Sequence, residues 1–194
     1  MEYTMKFRIY PNKTQRNLIS RTFGSCRFVY NFMLDMRQKL YQAYGESMSY
    51  RDCSAQLPAL KSEFEWLKDV DSTALQSAVK DLDIAFQNFF RGRQTGKRVG
   101  YPKFKSKKHP VQSYKTKSNI KLSEKAIRLP KLGWVKCRVS KQVSGRILNA
   151  IISRSASGKY FVSVCWTDVD QKPLPKAGQA NLAAYVWSMG SHSA

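Results

Sequence analysis

The sequence predicts an α+β protein: a small barrel or sandwich of short strands whose first strand is separated from the others by a helical insertion. Three observations predict it. Residues 1–10 alternate apolar and polar side chains, and residues 12–90 place apolar side chains mostly three and four apart. From Ser113 onward, short β-branched and aromatic runs alternate with Pro, Gly and Ser turns. At 42% hydrophobic and 12% aromatic, 194 residues are enough to build a core for one large or two small domains.

Tyr3, Met5, Phe7 and Ile9 on one side, against Glu2, Thr4, Lys6 and Arg8 on the other, predict a half-buried strand that Pro11 ends. Asn12 with Gln15 three residues later reads as a capping box, opening a helix with Leu18, Ile19 and Phe23 on one face. Gly24 interrupts that pattern. A second stretch with Cys26, Tyr30, Met33, Leu34, Arg37, Tyr41 and Tyr44 follows and ends at Gly45, so the expectation is helix, short break, helix. Ser49 and Asp52 predict a short helix broken at Pro58. Asp71 or Ser72 caps a longer one whose stripe is Leu75, Ala78, Val79, Leu82, Phe86 and Phe89, leaving Thr73, Gln76, Lys80 and Asn88 on its polar face. Residues 91–110, RGRQTGKRVGYPKFKSKKHP, read as a loop anchored by Tyr101 and Phe104. Strands are expected over 113–117, 126–129, 134–139, 147–153 and 160–166, the last two forming a hairpin around the turn Ser155–Gly158.

Charge says more about function than any catalytic pattern. The chain holds 34 Lys and Arg against 13 Asp and Glu, a formal net charge of +21. Residues 1–90 contribute 12 basic and 10 acidic groups (+2), whereas residues 91–159 contribute 20 basic groups and Glu124 alone (+19). A regional excess of this size calls for a polyanion, and nucleic acid is the expected partner. Tyr101, Phe104, Tyr114, Trp134 and Tyr160 lie among these cations. Tyr101, Phe104 and Tyr114 are the expected platforms for an unpaired base, with Trp134 and Tyr160 assigned to the core. No apolar run approaches the roughly 20 residues of a membrane span, and the N-terminus has no signal-peptide pattern, so a cytosolic protein without a membrane partner is expected. Cys26, Cys53, Cys137 and Cys165 form no C-x-x-C pair and are read as buried thiols.

The only histidines, His109 and His192, have no acid or thiol nearby in sequence. The acid pairs Glu63/Glu65, Asp69/Asp71 and Asp81/Asp83 would diverge on a helix, and Asp168/Asp170 reads as strand-end solvation. Gly92, Gly96 and Gly100 match no phosphate-binding fingerprint.

Six ordered phrases, KFRIYPNKTQ, FGSCRFVYN, STALQSAVKDLDIAFQNFFR, GYPKFKSKK, SYKTK and IRLPKLGWVK, closely resemble the N-terminal half of TnpB (OrfB-type) proteins of insertion sequences. These are RNA-guided nucleases related to type V CRISPR effectors, and the resemblance covers about residues 3–176. It implies an OB-like β-barrel wedge domain with an inserted helical recognition domain. The implied division is 1–11 for the first wedge strand and 12–110 for the recognition domain and basic loop, with a helix-turn-helix at 12–44. The other wedge strands then fall in 111–170, and 171–194 is linker and aberrant tail. It implies guide RNA and DNA as partners, held mainly through their backbones. Contacts are expected from Arg91, Arg93, Lys97, Arg98, Tyr101, Lys103, Phe104, Lys105, Lys107, Lys108, Tyr114, Lys115 and Lys117. A short target-adjacent DNA motif is expected near Tyr50, Ser54, Thr73 and Gln76, with Ser72 where some relatives carry a longer basic residue.

Such proteins continue past a Pro-rich linker like KPLPKAG into a RuvC-type nuclease that uses magnesium and carries a structural zinc. Here the linker runs into QANLAAYVWSMGSHSA, with no acid after Asp170 and no G-x-D-x-G. A shifted or decayed reading frame, an expression scar in MGSHSA, or a short protein would each account for it. The expectation is a binding fragment with no RuvC-type domain, no metal and no cleavage of its own. A helix-turn-helix DNA-binding regulator is the alternative.

Overall fold

A computed structural model of the chain describes residues 2–140 and 143–167. Asp168, Asp170, His192, the Pro-rich linker and the tail lie outside the described residues. The elements in order are β1 (Tyr3–Tyr10), α1 (Lys13–Tyr44), α2 (Tyr50–Ala55), α3 (Leu57–Glu63), a 3-10 turn (Glu65–Lys68), α4 (Ser72–Gln94), β2 (Gln112–Thr116), β3 (Lys121–Leu122), β4 (Ala126–Leu129), β5 (Gly133–Arg138), β6 (Arg146–Arg154) and β7 (Tyr160–Thr167). The α+β class is as the sequence predicts. No described helix is long and apolar enough to cross a membrane.

Local chemistry accounts for the helix ends. Asn12 accepts from the Gln15 backbone N–H while the Gln15 side chain accepts from that of Asn12, a reciprocal capping box, and Ser49 with Asp52 repeats it for α2. Gly45, at φ 69°, closes α1 in the left-handed region. Asp71 caps α4. Two expected breaks do not occur. Gly24 sits inside an unbroken 32-residue helix, because the buried stripe Ile19, Phe23, Cys26, Val29, Tyr30, Met33 and Leu34 runs straight past it. Burying those side chains outweighs the ~1 kcal/mol a mid-helix glycine costs. Pro58 opens α3 rather than ending a helix, since its missing N–H falls where no intrahelical acceptor exists. The expected helix-turn-helix break within 12–44 is therefore absent.

All seven strands pair antiparallel in the order β2-β6-β7-β1-β5-β4-β3. β1, first in sequence, lies in the middle, paired with β7 from Tyr3 to Ile9 and with β5 over Arg8–Tyr10. This is the return across the helices that the sequence predicts. Among the described residues, however, the sheet is open and does not close into a barrel. β3 has two residues and reaches only β4, while α1 and α4 pack against β2 at the other edge. The inner face carries Phe7, Ile9, Val135, Ile152, Val162, Val164 and Trp166, all at most 1% exposed. A bulge at Leu148 puts Ile147 opposite Trp166, on the inner face. The β6–β7 turn closes as expected, with the Ser155 N–H donating to the Lys159 carbonyl at 2.9 Å.

The cysteines are free thiols, three buried and Cys165 half-buried. Burial pushes the Cys26 thiol up to about 12 and that of Cys137 up to about 11. Both stay protonated near neutral pH. At about pH 8, iodoacetamide should modify Cys26 and Cys137 roughly a hundredfold more slowly in the folded protein than in urea, read by mass spectrometry. Gly24 leaves nothing within 4 Å of an added Cβ. Gly24→Ala should therefore stabilise by about 0.5–1 kcal/mol and raise Tm by roughly 2–4 °C in a thermal melt.

Candidate nucleic-acid interface

The seven strands contain no Asp or Glu. With the apolar side chains turned inward, the pleat directs Lys6, Arg8 and Tyr10 of β1 outward, with Trp134, Lys136 and Arg138 of β5 and Arg128 of β4 on the same face. Register sets their neighbours. Arg8 lies opposite Phe161 on one side and Arg138 on the other, Tyr10 opposite Lys136, Trp134 opposite Arg128, and Arg128 opposite Lys121. Lys6 Nζ sits 4.6 Å from the Phe161 ring centre, and the Arg8 guanidinium carbon 5.2 Å from it and 5.4 Å from that of Tyr10. Cations placed opposite one another repel, and Arg8 Nε is buried without an acceptor. An anionic ligand would relieve both. Trp134, 52% exposed, presents its ring to solvent here.

The basic stretch supplies a second surface. Arg91 and Arg93 occupy the last turn of α4, and the loop proper begins at Thr95, correcting the expectation that the loop starts at Arg91. Arg91, Arg93, Lys97, Arg98, Lys103, Lys105, Lys107 and Lys108 are all exposed. The path of the loop is held from α1: Asn31 Oδ1 accepts from the Lys105 N–H at 2.8 Å and Asn31 Nδ2 donates to the Lys105 carbonyl at 3.0 Å. Lys105 Nζ lies 4.1 Å from the Tyr30 ring centre and 3.9 Å from Asp81. Pro102 is buried, and Gly92 is packed so closely under Val99 that an added Cβ would lie 2.7 Å from its methyl. Nothing in the sequence pattern marks Asn31. Tyr101 packs edge-on against Phe86 and Phe89 with 43% of its surface exposed, and Phe104 is 53% exposed.

Two aromatic expectations reverse. Tyr114 is 7% exposed and packs on Phe23, because residues of its parity on β2 face the core; it offers no face to a base. Trp134, expected inside, is on the outer face, whereas Tyr160 is half-buried against the core. Lys115 is half-buried, opposite Ile151, and Lys117 exposed just past β2.

The expected motif-reading residues lie on α2 (Tyr50 and Ser54) and on the first two turns of α4 (Thr73 and Gln76), two helices that pack together. Tyr50 lies under Lys80 Nζ, 4.8 Å from the ring centre, and Gln76 is exposed. Thr73 is engaged within the fold: its hydroxyl donates to Asp71 at 2.5 Å and accepts from the Lys117 N–H at 3.3 Å. Ser54 Oγ is buried without a partner, and Ser72 Oγ meets Lys61 Nζ at 2.7 Å. Among the described residues, no group of three or more His, Cys, Asp or Glu could hold a metal ion.

Residues 1–46 match a family model described as a helix-turn-helix domain, HTH_OrfB_IS605. In this chain that segment holds β1 and the whole of α1, a single continuous helix. Two relatives bear the name "Putative RNA-guided DNA endonuclease". InsQ of Escherichia coli (strain K12) is 34% identical over 97% of this chain and 46% of its own length. That of Streptomyces pristinaespiralis is 33% identical over 84% and 41% respectively. The chain thus spans less than half the length of these two. A shorter relative, virulence protein VsdF of Salmonella dublin, is 36% identical over 51% of this chain and 88% of its own length.

Asn31→Ala removes both ties to Lys105, each worth about 1 kcal/mol. Amide hydrogen exchange at Lys105 should quicken roughly tenfold, with exchange in the middle of β7 unchanged.

Proposed function

The chain belongs to the TnpB (OrfB-type) family, and from that premise we propose that these residues bind nucleic acid as the N-terminal part of a transposon-associated RNA-guided DNA endonuclease. One observation carries this reading: an outer sheet face rich in cations and rings, without a carboxylate in any described strand, together with a separate loop whose cations are exposed. Such a surface neutralises phosphates along a path and offers rings to unpaired bases. Guide RNA and target DNA are the proposed ligands, with base pairing supplying sequence and the protein holding the backbones. On this reading, residues 1–11 and 111–170 act as the wedge, 12–110 as the recognition unit, and Tyr50, Ser54, Thr73 and Gln76 lie near the target-adjacent motif. Binding of this kind asks for no metal, and on this reading the chain does no cutting of its own.

A regulator that reads duplex DNA with a helix pair in 12–44 fits less well. α1 has no turn, and two of its cations are occupied: Arg21 pairs with Asp69 and Lys39 with Asp35.

A salt titration tests the proposal, with RNA from the 3′ end of the chain's own element compared with a length-matched DNA duplex. RNA should bind more tightly. The slope of log K against log salt should fall by about 0.7 for each single-strand phosphate that the protein no longer neutralises. The triple variant Arg128→Ala, Lys136→Ala, Arg138→Ala, and separately Arg98→Ala, Lys103→Ala, Lys107→Ala, should each flatten it by roughly 2. Tighter sequence-selective duplex binding, indifferent to both triples, would favour the regulator. Added EDTA should leave binding unchanged, and magnesium should produce no cutting of guide-matched DNA by the pure chain.

A further inference from the structure

Between α1 and the basic loop lies a cavity of about 510 Å³ whose lining includes Phe23, Cys26 and Arg27 from the helix and Phe104, Lys108 and His109 from the loop. Its walls are of two kinds. Phe23, the Phe104 ring and the neutral Cys26 thiol, which is turned to the Ala74 carbonyl at 3.5 Å, make an apolar surface. Arg27 and Lys108 make a cationic one; neither is held by a carboxylate among the described residues, and no Asp or Glu lines the cavity. His109 Nδ1 is taken up by the Val111 backbone, 2.7 Å from its carbonyl oxygen and 3.3 Å from its nitrogen, which leaves Nε2 for a ligand.

The loop side of the cavity is fixed without a ligand. Asn31 grips Lys105 on both backbone groups, Ser106 Oγ accepts from the Lys108 N–H at 3.1 Å, and Gln112 donates to the Lys107 carbonyl at 2.9 Å. A preformed wall asks little ordering of an incoming group. The volume lies in the range of sites that take one small ligand. A flat apolar body joined to an anion is the chemistry that satisfies both kinds of wall at once.

We infer that this cavity receives a single unpaired nucleotide of the bound strand, its base against Phe104 and its phosphate between Arg27 and Lys108. The inference rests on the nucleic-acid reading above. It assigns to Phe104 and Arg27 a task distinct from the backbone tracking of the exposed loop cations: extracting one base from a stack, as proteins that handle unpaired strands do.

The test uses the full chain and a single-stranded RNA carrying 4-thiouridine at successive positions. Irradiation should crosslink one position far more than its neighbours, to a peptide containing Phe104–His109. Phe104→Ala should cut that crosslink at least tenfold, Phe104→Trp should keep it, and Arg27→Ala should weaken affinity about tenfold. Circular dichroism checks that each variant folds. Even crosslinking along the strand, or a crosslink indifferent to Phe104→Ala, would overturn the cavity assignment while leaving nucleic-acid binding in place. Free uridine monophosphate competing as well as the strand would overturn its assignment to a strand. No RNA binding at all would remove the function reading, and this inference with it.

Discussion

The carboxylate of Asp71, 9% exposed, joins the helices to the sheet. It caps α4 by accepting from the Thr73 N–H at 3.2 Å, and it accepts the hydroxyls of Thr73 at 2.5 Å and Thr116 at 2.6 Å. Thr116 is fully buried at the end of β2, so without the acid its hydroxyl would lose a strong charged acceptor away from water. This one group therefore sets where α4 begins and where β2 lies against it. From β2 the order passes through β6 and β7 to β1, and the whole sheet is placed relative to the helices.

A chain of net charge +21 must offset its own repulsion to stay folded. The acids are spent on structure: Asp71 at the joint, Asp52 in a cap, Asp69 on Arg21, Asp81 beside Lys105. They lie in the helical half. The strands keep none, so Arg8 faces Arg138 and Arg128 faces Lys121, and none of the four makes an ion pair among the described residues. Apolar burial on the inner face offsets that repulsion in the free protein, and a bound polyanion would remove it. On the proposed reading, binding and stability divide between the two faces of one sheet.

Tertiary contacts also convert a mobile kind of sequence into a positioned one. A stretch with Gly96, Gly100 and Pro102 has little local reason to hold one path. Asn31 provides one by offering a donor and an acceptor to the same residue, as a neighbouring strand would, and Pro102 and Val99 pack down at either side. The cations of the loop are held on a frame, which lowers the entropy lost when a ligand binds.

The sequence by itself determined whatever depends on neighbours in the chain. The capping pairs Asn12/Gln15 and Ser49/Asp52, the glycine stop at Gly45, the alternation of β1 and the regional charge are local chemistry, read correctly from residue type and spacing. What the sequence misjudged was decided by contacts distant along the chain. Gly24 stays helical because a stripe on both sides of it is buried under α4, and Pro58 starts a helix because α2 ends before it. β3 is too short to signal itself and exists only through β4. Tyr114 and Trp134 exchange their expected places, since a strand's alternation says that two faces differ but not which one the helices will cover. Asn31 looks like any helical polar residue until Lys105, 74 positions later, arrives beside it. Spacing carries short-range hydrogen bonds and periodicity; which face is dry, and which distant backbone needs a partner, is fixed only when the chain closes on itself.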